Sequence, residues 1–87
     1  MGAYTVELSN AAFRELRKLD PQTADRIRRA LATLAEHPRP PQAKPLKGWN
    51  DALRVRVGDY RIIYRIYEDK LTVLVLQVGH RREVYRK

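Results

Sequence analysis

The hydrophobic positions at the start of the chain follow two periods, and each period predicts one kind of element. Tyr4, Val6 and Leu8 alternate with polar residues, which predicts a half-buried strand. Apolar residues then recur at helical spacing in two segments that meet at Asp20-Pro21, a pair typical of a helix start. The two stripes are Ala12, Leu16 and Leu19, with Phe13 beside them, and Ala24, Ile27, Leu31 and Leu34. Charged residues off the second stripe, Arg26, Arg28, Arg29 and Glu36, are expected on a solvated face. Because almost no linker separates the segments, the sequence predicts a helical hairpin.

A proline-rich connection, PRPPQAKPLKGWN at residues 38–50, follows the second predicted helix. Such a composition is also found in polyproline ligands, but its place between helices and strands favours a stiff crossover loop. We expect Leu46 and Trp49 to anchor this loop to the core, and Lys44 and Lys47 to stay exposed to solvent.

From Ala52 onward the hydrophobic period is two, which predicts three consecutive strands. Gly58-Asp59 is a two-residue turn with glycine first, which suits a type II′ hairpin. The last strand, from Leu71 to Val78, is almost entirely apolar, so we expect it between the preceding strand and the N-terminal strand. The sequence therefore predicts one α+β domain over residues 1–87, with a mainly antiparallel four-stranded sheet and both helices on one face.

The two-residue turn also fixes which residues face each other in the hairpin. Val57 pairs with Tyr60, and Arg56 pairs with Arg61. One face then collects apolar side chains for the helices, and the opposite face collects Arg54, Arg56, Arg61 and Arg65. Like charges opposite each other destabilise a sheet, and no acid on this face balances them. We therefore expect Arg54, Arg56 and Arg61 to be exposed together as a surface that binds phosphate.

The C-terminal stretch VGHRREVYRK begins where the apolar strand ends. If that strand pairs beside the arginine-bearing strand, its end brings His80, Arg81 and Tyr85 to the arginine face. Arginine balances charge on phosphate, tyrosine stacks on unpaired bases, and histidine transfers protons near neutral pH. The chain as a whole has 18 Lys plus Arg against 10 Asp plus Glu, and its net charge of +8 indicates a polyanionic or acidic partner.

Other classes of chemistry find little support in the sequence. The absence of cysteine excludes disulfides and thiolate metal sites, and it suits the reducing cytoplasm. No apolar run is long enough for a membrane span, and the N-terminus lacks the pattern of a signal peptide. No catalytic triad or phosphate-cradling glycine motif is present. We therefore expect a cytoplasmic protein that uses no metal and no cofactor.

The order of the elements, together with KPLKGWNDALRVRVGDYRIIYRI and VGHRREVYR, resembles the RelE/ParE toxin superfamily of type II toxin–antitoxin systems, and its RelE-like branch in particular. The resemblance covers essentially the whole chain. It implies a ribosome-dependent endoribonuclease that inhibits translation. In this family the 2′-hydroxyl of messenger RNA in the ribosomal A site attacks the adjacent phosphate without a metal. The resemblance also implies an acidic antitoxin as partner in a hetero-oligomer, with contacts to the ribosome and messenger RNA and none to a membrane.

The resemblance assigns roles to individual residues. The two basic positions before the hairpin turn fall on Arg54 and Arg56, and the arginine after the turn falls on Arg61. The arginine that assists the leaving group falls on Arg81, and the tyrosine that stacks on the scissile nucleotide falls on Tyr85. The candidate catalytic residues are thus Arg56, Arg61, His80, Arg81 and Tyr85, and the candidate RNA- and ribosome-binding residues are Lys44, Lys47, Arg54, Arg65 and Arg82.

This sequence departs from the family pattern at the strand positions, where lysine is frequent and one residue serves as the base. Arginine essentially cannot lose its proton, so the assignment of Arg56 as general base is in question and His80 is a second candidate. Two other functions stay open: a ParE-like inhibitor of DNA gyrase on the same fold, and an inactive toxin homologue retained as an antitoxin partner.

Overall fold

The N-terminal strand and the last strand of the chain lie side by side in one mixed sheet. The computed structural model describes residues 3–80. Its strands are β1 (Thr5–Leu8), β2 (Lys44–Pro45), β3 (Leu53–Val57), β4 (Tyr60–Tyr67) and β5 (Thr72–His80). Their order is β1-β5-β4-β3-β2, with β1 parallel to β5 and the other neighbours antiparallel. The central place of the last strand is confirmed. The prediction of four strands was wrong, because the two residues of β2 also pair with β3.

Two helices, α1 (Asn10–Lys18) and α2 (Pro21–Glu36), follow β1 and confirm the predicted helical hairpin. The Ser9 hydroxyl caps α1 by accepting a hydrogen bond from the Ala12 N–H, and the Asp20 carboxylate caps α2 by accepting one from the Thr23 N–H. These caps satisfy amide groups that have no partner inside the helix. In the described part of the chain, neither helix is long and apolar enough to cross a membrane.

Both helices pack on one face of the sheet, here called the helix face, and form the main hydrophobic core with it. The buried side chains of this core are Ala12, Leu16, Ala24, Ile27, Leu31, Leu34, Val55, Ile62, Tyr64, Val73, Val75 and Val78. Phe13, expected beside the α1 stripe, is instead 50% exposed, and the Arg17 guanidinium carbon lies 5.7 Å from its ring centroid. Because Val55, Ile62 and Tyr64 belong to this core, the alternating apolar side chains of β3 and β4 face the helices as predicted.

The opposite face of the sheet, here called the outer face, is partly covered by the loop of residues 46–52. The buried and half-buried side chains of this small second core are Leu46, Trp49, Ala52, Ile63 and Leu76. Leu46 and Trp49 thus anchor the loop as predicted, and Lys44 and Lys47 are exposed. The Arg65 side chain also holds the loop, because its Nε donates a hydrogen bond to the Asn50 carbonyl at 2.9 Å.

A β-bulge interrupts the pairing of β4 with β5. Ile63 pairs with Gln77, but the next residue, Tyr64, pairs with Val75, so Leu76 is an extra residue on β5. The Ser9 hydroxyl donates a hydrogen bond to the Leu76 carbonyl at 2.7 Å and ties the bulge to the start of α1. Since side chains alternate between the two faces of a strand, the extra residue exchanges the faces of every β5 residue beyond it.

Candidate nucleic-acid interface

The turn between β3 and β4 sets the geometry of the arginine-bearing surface. Gly58 has a φ of +61° at the first turn position, while Asp59 keeps a negative φ, which is the combination of a type II′ turn. The register that follows places Arg56 directly opposite Arg61, as predicted. Residues opposite each other on a sheet have Cβ atoms about 5 Å apart. The two guanidinium groups therefore start from neighbouring positions on the outer face.

Arg54, Arg56 and Arg61, here called the arginine surface, differ in their exposure. Arg56 is exposed and Arg54 is half-buried, but Arg61 is only 8% exposed. The prediction that all three would be exposed together was therefore wrong for Arg61. The physical reason is its place on β4, inside the sheet, where β3 and β5 flank it and Gly79 lies opposite. A partly buried charge is screened less by salt than an exposed one, which favours Arg61 as an anion-binding group.

Arg65 lies on the outer face but apart from the arginine surface. Arg65 stands four positions after Arg61 on β4, about 13 Å away at the usual rise of a strand. The loop of residues 46–52 covers Ile63 between the two arginines. The Arg65 side chain contacts this loop through its bond to Asn50, so the structure gives it a role in holding the loop. Lys44, by contrast, pairs with Arg54 across β2 and β3 and extends the positive charge of the arginine surface.

His80 lies on the helix face and not on the arginine surface. It pairs with Tyr60, and the two rings meet edge to face with centroids 5.8 Å apart and planes at 78°. Tyr60 itself packs against the main core. The expected convergence of His80 with the arginines was therefore wrong. The bulge at Leu76 is the reason, because it turns Gly79 toward Arg61 and His80 toward the helices.

Arg26 of α2 reaches the hairpin turn from the helix face. Its guanidinium atoms lie 3.1 to 3.5 Å from the position that a Cβ would take at Gly58. A shallow hollow beside this contact is lined by Thr23, Arg26, Ile27, Val57, Asp59 and Tyr60. The sequence pattern placed Arg26 only on a solvated helix face. Its contact with the turn depends on how α2 crosses the hairpin, and a hydrophobic stripe does not give that angle.

The remaining candidate residues, Arg81, Arg82 and Tyr85, lie outside the described residues. Within residues 3–80, no group of three or more His, Asp or Glu side chains is placed to hold a metal ion.

The chain is similar in sequence to known toxins over nearly its whole length. Residues 6–85 match the family model of the ParE toxin of the type II toxin–antitoxin system parDE. The mRNA interferase toxin RelE of Escherichia coli K12 is 32% identical over 87 residues, which cover 95% of this chain and 90% of RelE. Toxin RelG of Mycobacterium tuberculosis is 36% identical over 88 residues, which cover 97% of this chain and 98% of RelG.

Solved structures of toxins have the same fold. The RelBE2 toxin–antitoxin complex of Mycobacterium tuberculosis matches with a TM-score of 0.81 at 33% identity, covering 91% of this chain and 99% of that chain. The isolated RelE toxin of Escherichia coli matches with a TM-score of 0.79 at 31% identity, covering 95% and 92% of the two chains. Residues 6–85, which the family model matches, include both helices and the strands that carry the arginine surface.

Proposed function

Since the chain belongs to the ParE toxin family of type II toxin–antitoxin systems and is a RelE-like toxin, we propose that it cleaves messenger RNA in the ribosomal A site. The observation that carries this proposal is the pairing of Arg56 with Arg61 on the outer face. Two guanidinium groups on neighbouring positions can bind the oxygens of one phosphate. The Escherichia coli relative, 32% identical, is itself named an mRNA interferase.

In the proposed reaction, the 2′-hydroxyl of one nucleotide attacks the phosphate that joins it to the next nucleotide. A bond forms between the 2′-oxygen and phosphorus, and the bond from phosphorus to the 5′-oxygen breaks. The products are a cyclic phosphate and a free 5′-hydroxyl. Negative charge grows on the phosphate oxygens in the transition state, and Arg56 and Arg61 would stabilise it from fixed positions. These two positive groups supply charge neutralisation without a metal.

The proton of the attacking 2′-hydroxyl needs an acceptor other than the arginine surface. Arginine stays protonated at physiological pH, so Arg56 and Arg61 act through their charge. His80 packs against Tyr60 on the helix face, so we propose solvent or the bound RNA as the acceptor. By resemblance to the family, Arg81 would balance charge on the leaving oxygen and Tyr85 would stack on the base at the scissile bond.

We also propose an acidic antitoxin as the partner of this toxin. The structure of an intact RelBE toxin–antitoxin complex from Escherichia coli matches this chain with a TM-score of 0.79 at 29% identity, which supports a partner of that kind. The net charge of +8 favours an antitoxin segment rich in carboxylates. Such a segment, bound over Arg56, would keep phosphate away from the arginine surface.

The test is to map the 5′ ends of a messenger RNA by primer extension after incubation with the purified chain, with and without translating ribosomes. We expect breaks in the A-site codon only when ribosomes translate. Arg81→Ala should abolish cleavage, because losing an electrostatic donor of this type lowers the rate about a hundredfold or more. Tyr85→Ala should also abolish it, because the stacked base would no longer be held in line for the attack. Equal cleavage of free RNA would contradict the ribosome dependence.

The matching family model, which is that of ParE toxins, favours one second candidate, the inhibition of DNA gyrase. This activity does not require the arginine surface, so a supercoiling assay separates the two functions. The ribonuclease proposal would be wrong if the chain inhibits gyrase while Arg81→Ala and Tyr85→Ala stay fully toxic. An inactive homologue would bind the antitoxin and show neither activity.

A further inference from the structure

The Arg26 side chain is held against the hairpin turn because residue 58 has no side chain. Its Nη2 lies 3.1 Å, and its Cζ and Nη1 each lie 3.5 Å, from the position that a Cβ would take at Gly58. These three distances show that the end of the guanidinium group packs against the glycine. A surface arginine normally loses rotamer entropy when it binds a ligand. Contact with Gly58 already restricts the rotamers of Arg26 before any ligand binds, so Arg26 loses less rotamer entropy when it binds one.

Among residues 3–80, no ion pair balances the charge of Arg26, unlike that of its helical neighbour Arg29. Arg29 pairs with Asp25 at 2.8 Å. In the part of the chain that the structure describes, no salt bridge joins Arg26 to a carboxylate. Asp59 lines the same hollow but forms no ion pair with Arg26. Arg26 is thus a positive group, placed against the turn, that can still accept an anionic partner.

Arg26 lies at the same end of the sheet as the Arg56–Arg61 pair but on the other face. The turn residue that Arg26 contacts, Gly58, stands only two positions after Arg56 in the chain. Thr23 and Tyr60, residues whose hydroxyl groups can donate hydrogen bonds to phosphate oxygens, also line the hollow beside Arg26, together with the acidic residue Asp59. The hairpin turn is therefore bordered by phosphate-binding groups on both of its faces.

We infer that Arg26 binds an RNA phosphate on the helix side of the hairpin turn, so that RNA wraps around the end of the sheet. The inference rests on the proposed function and adds to it a binding residue outside the arginine surface. A phosphate is favoured over a carboxylate partner because Arg26 is part of one positive end of the molecule, which it forms together with Arg56 and Arg61. The phosphate belongs either to the messenger or to ribosomal RNA, and the experiment below distinguishes these two sources.

The test compares Arg26→Gln with Arg28→Gln, a matched control that removes the same charge from an exposed position of the same helix. Binding of the full chain to ribosomes is measured over a range of salt concentrations, with and without messenger RNA in the A site. For Arg26→Gln we expect ribosome binding to be several-fold weaker. The slope of the logarithm of the binding constant against the logarithm of the salt concentration should fall by about the amount that one phosphate contact contributes. The ribosome concentration that gives half-maximal cleavage should rise by a similar factor, because Arg26 acts through binding. Arg28→Gln should change neither the binding nor its salt slope.

The outcomes separate the sources of the phosphate. Weaker ribosome binding that is seen only when messenger RNA is present assigns the contact to the messenger. Equally weak ribosome binding without messenger RNA assigns the contact to ribosomal RNA. Arg26→Met, which keeps the packing on Gly58 without the charge, should reproduce the loss even if Arg26→Gln alters the fold. Equal weakening by Arg28→Gln would overturn the inference, since net charge alone would then explain the effect.

Unchanged ribosome binding together with weaker antitoxin binding would also overturn the inference, because Arg26 would then belong to the antitoxin interface. A failure of the proposed function is distinct from both results. In that case the unaltered chain itself would not cleave translated messenger RNA.

Discussion

The ring of His80 packs edge to face against the ring of Tyr60, with 5.8 Å between the centroids, on the face of the sheet that carries the helices. A general base has to reach the proton that it removes, directly or through one water. His80→Gln should therefore lower the cleavage rate by less than about tenfold, well short of the effect of losing an acid–base catalyst. A cleavage rate lowered a hundredfold or more in primer-extension assays would show that His80 takes part in the reaction.

Arg56 should limit stability while it supports activity. It faces Arg61 across the hairpin, and like charges in this position repel. Arg56→Gln should raise the free energy of unfolding by about 0.2–1 kcal/mol, or at most about 4–8 °C in Tm for a domain of this size. The same change should reduce cleavage by about 10²–10³, as the loss of an electrostatic donor does. Thermal melts and cleavage assays measure the two effects, and Arg28→Gln is expected to show neither.

Arg65 should act through the loop of residues 46–52 and not through RNA. Its Nε donates to the Asn50 carbonyl, so Arg65→Ala should release the loop at a cost of about 1 kcal/mol. Trp49 is the single tryptophan of the chain and packs in that loop, so its fluorescence should shift to longer wavelength as the ring becomes exposed. If Trp49 emission stays unchanged while ribosome binding weakens, Arg65 is an RNA-binding residue after all.

Tyr64 should make stability sensitive to alkaline pH. The side chain is fully buried, its hydroxyl donates to the Pro38 carbonyl at 2.7 Å, and burial raises the pKa of Tyr64 to about 12. Below pH 10 the phenol is protonated in both the folded and the unfolded chain, so the full stability is present. Between about pH 10 and 12 the unfolded chain ionises while the folded chain resists, and stability falls.

Tyr64→Phe removes both the hydrogen bond and this ionisation. At pH 7 the variant should be less stable by about 1 kcal/mol, and the difference from the unaltered chain should narrow above pH 10. Urea unfolding at several pH values measures this difference. The control is Tyr67→Phe at a half-exposed position of the same strand. A difference that widens with alkaline pH would contradict the assignment.

Local signals in the sequence were sufficient to predict the helix starts and the hairpin register. Asp20 caps α2 and Pro21 is its first residue. Gly58-Asp59 forms the turn that places Arg56 opposite Arg61. In both cases neighbouring residues decide the geometry, so the pattern of the sequence contains the answer. The burial of Leu46 at the start of the loop followed in the same way, because large apolar residues are few in this segment.

The face on which His80 lies could not be predicted, because it depends on contacts between distant residues. β5 is almost entirely apolar, so a residue inserted at Leu76 leaves no visible break in the alternation. The bulge is bonded to Ser9, which is 67 residues away in the chain. The burial of Arg61 likewise depends on both neighbouring strands. Lys44-Pro45 is too short to show a strand period, and so β2 was missed.

The parallel pairing of β1 with β5 has a consequence for how the protein is made. Thr5 of β1 pairs with Thr72 of β5, so β1 has no neighbour in the sheet until β5 has been synthesised. Closing so long a loop costs entropy before any contact is gained, which makes such pairing slow. Until β5 has been synthesised, β4 lacks the neighbouring strand that flanks Arg61 on one side. The sheet around Arg61 is therefore completed only after β5 has been synthesised and has paired with both β1 and β4.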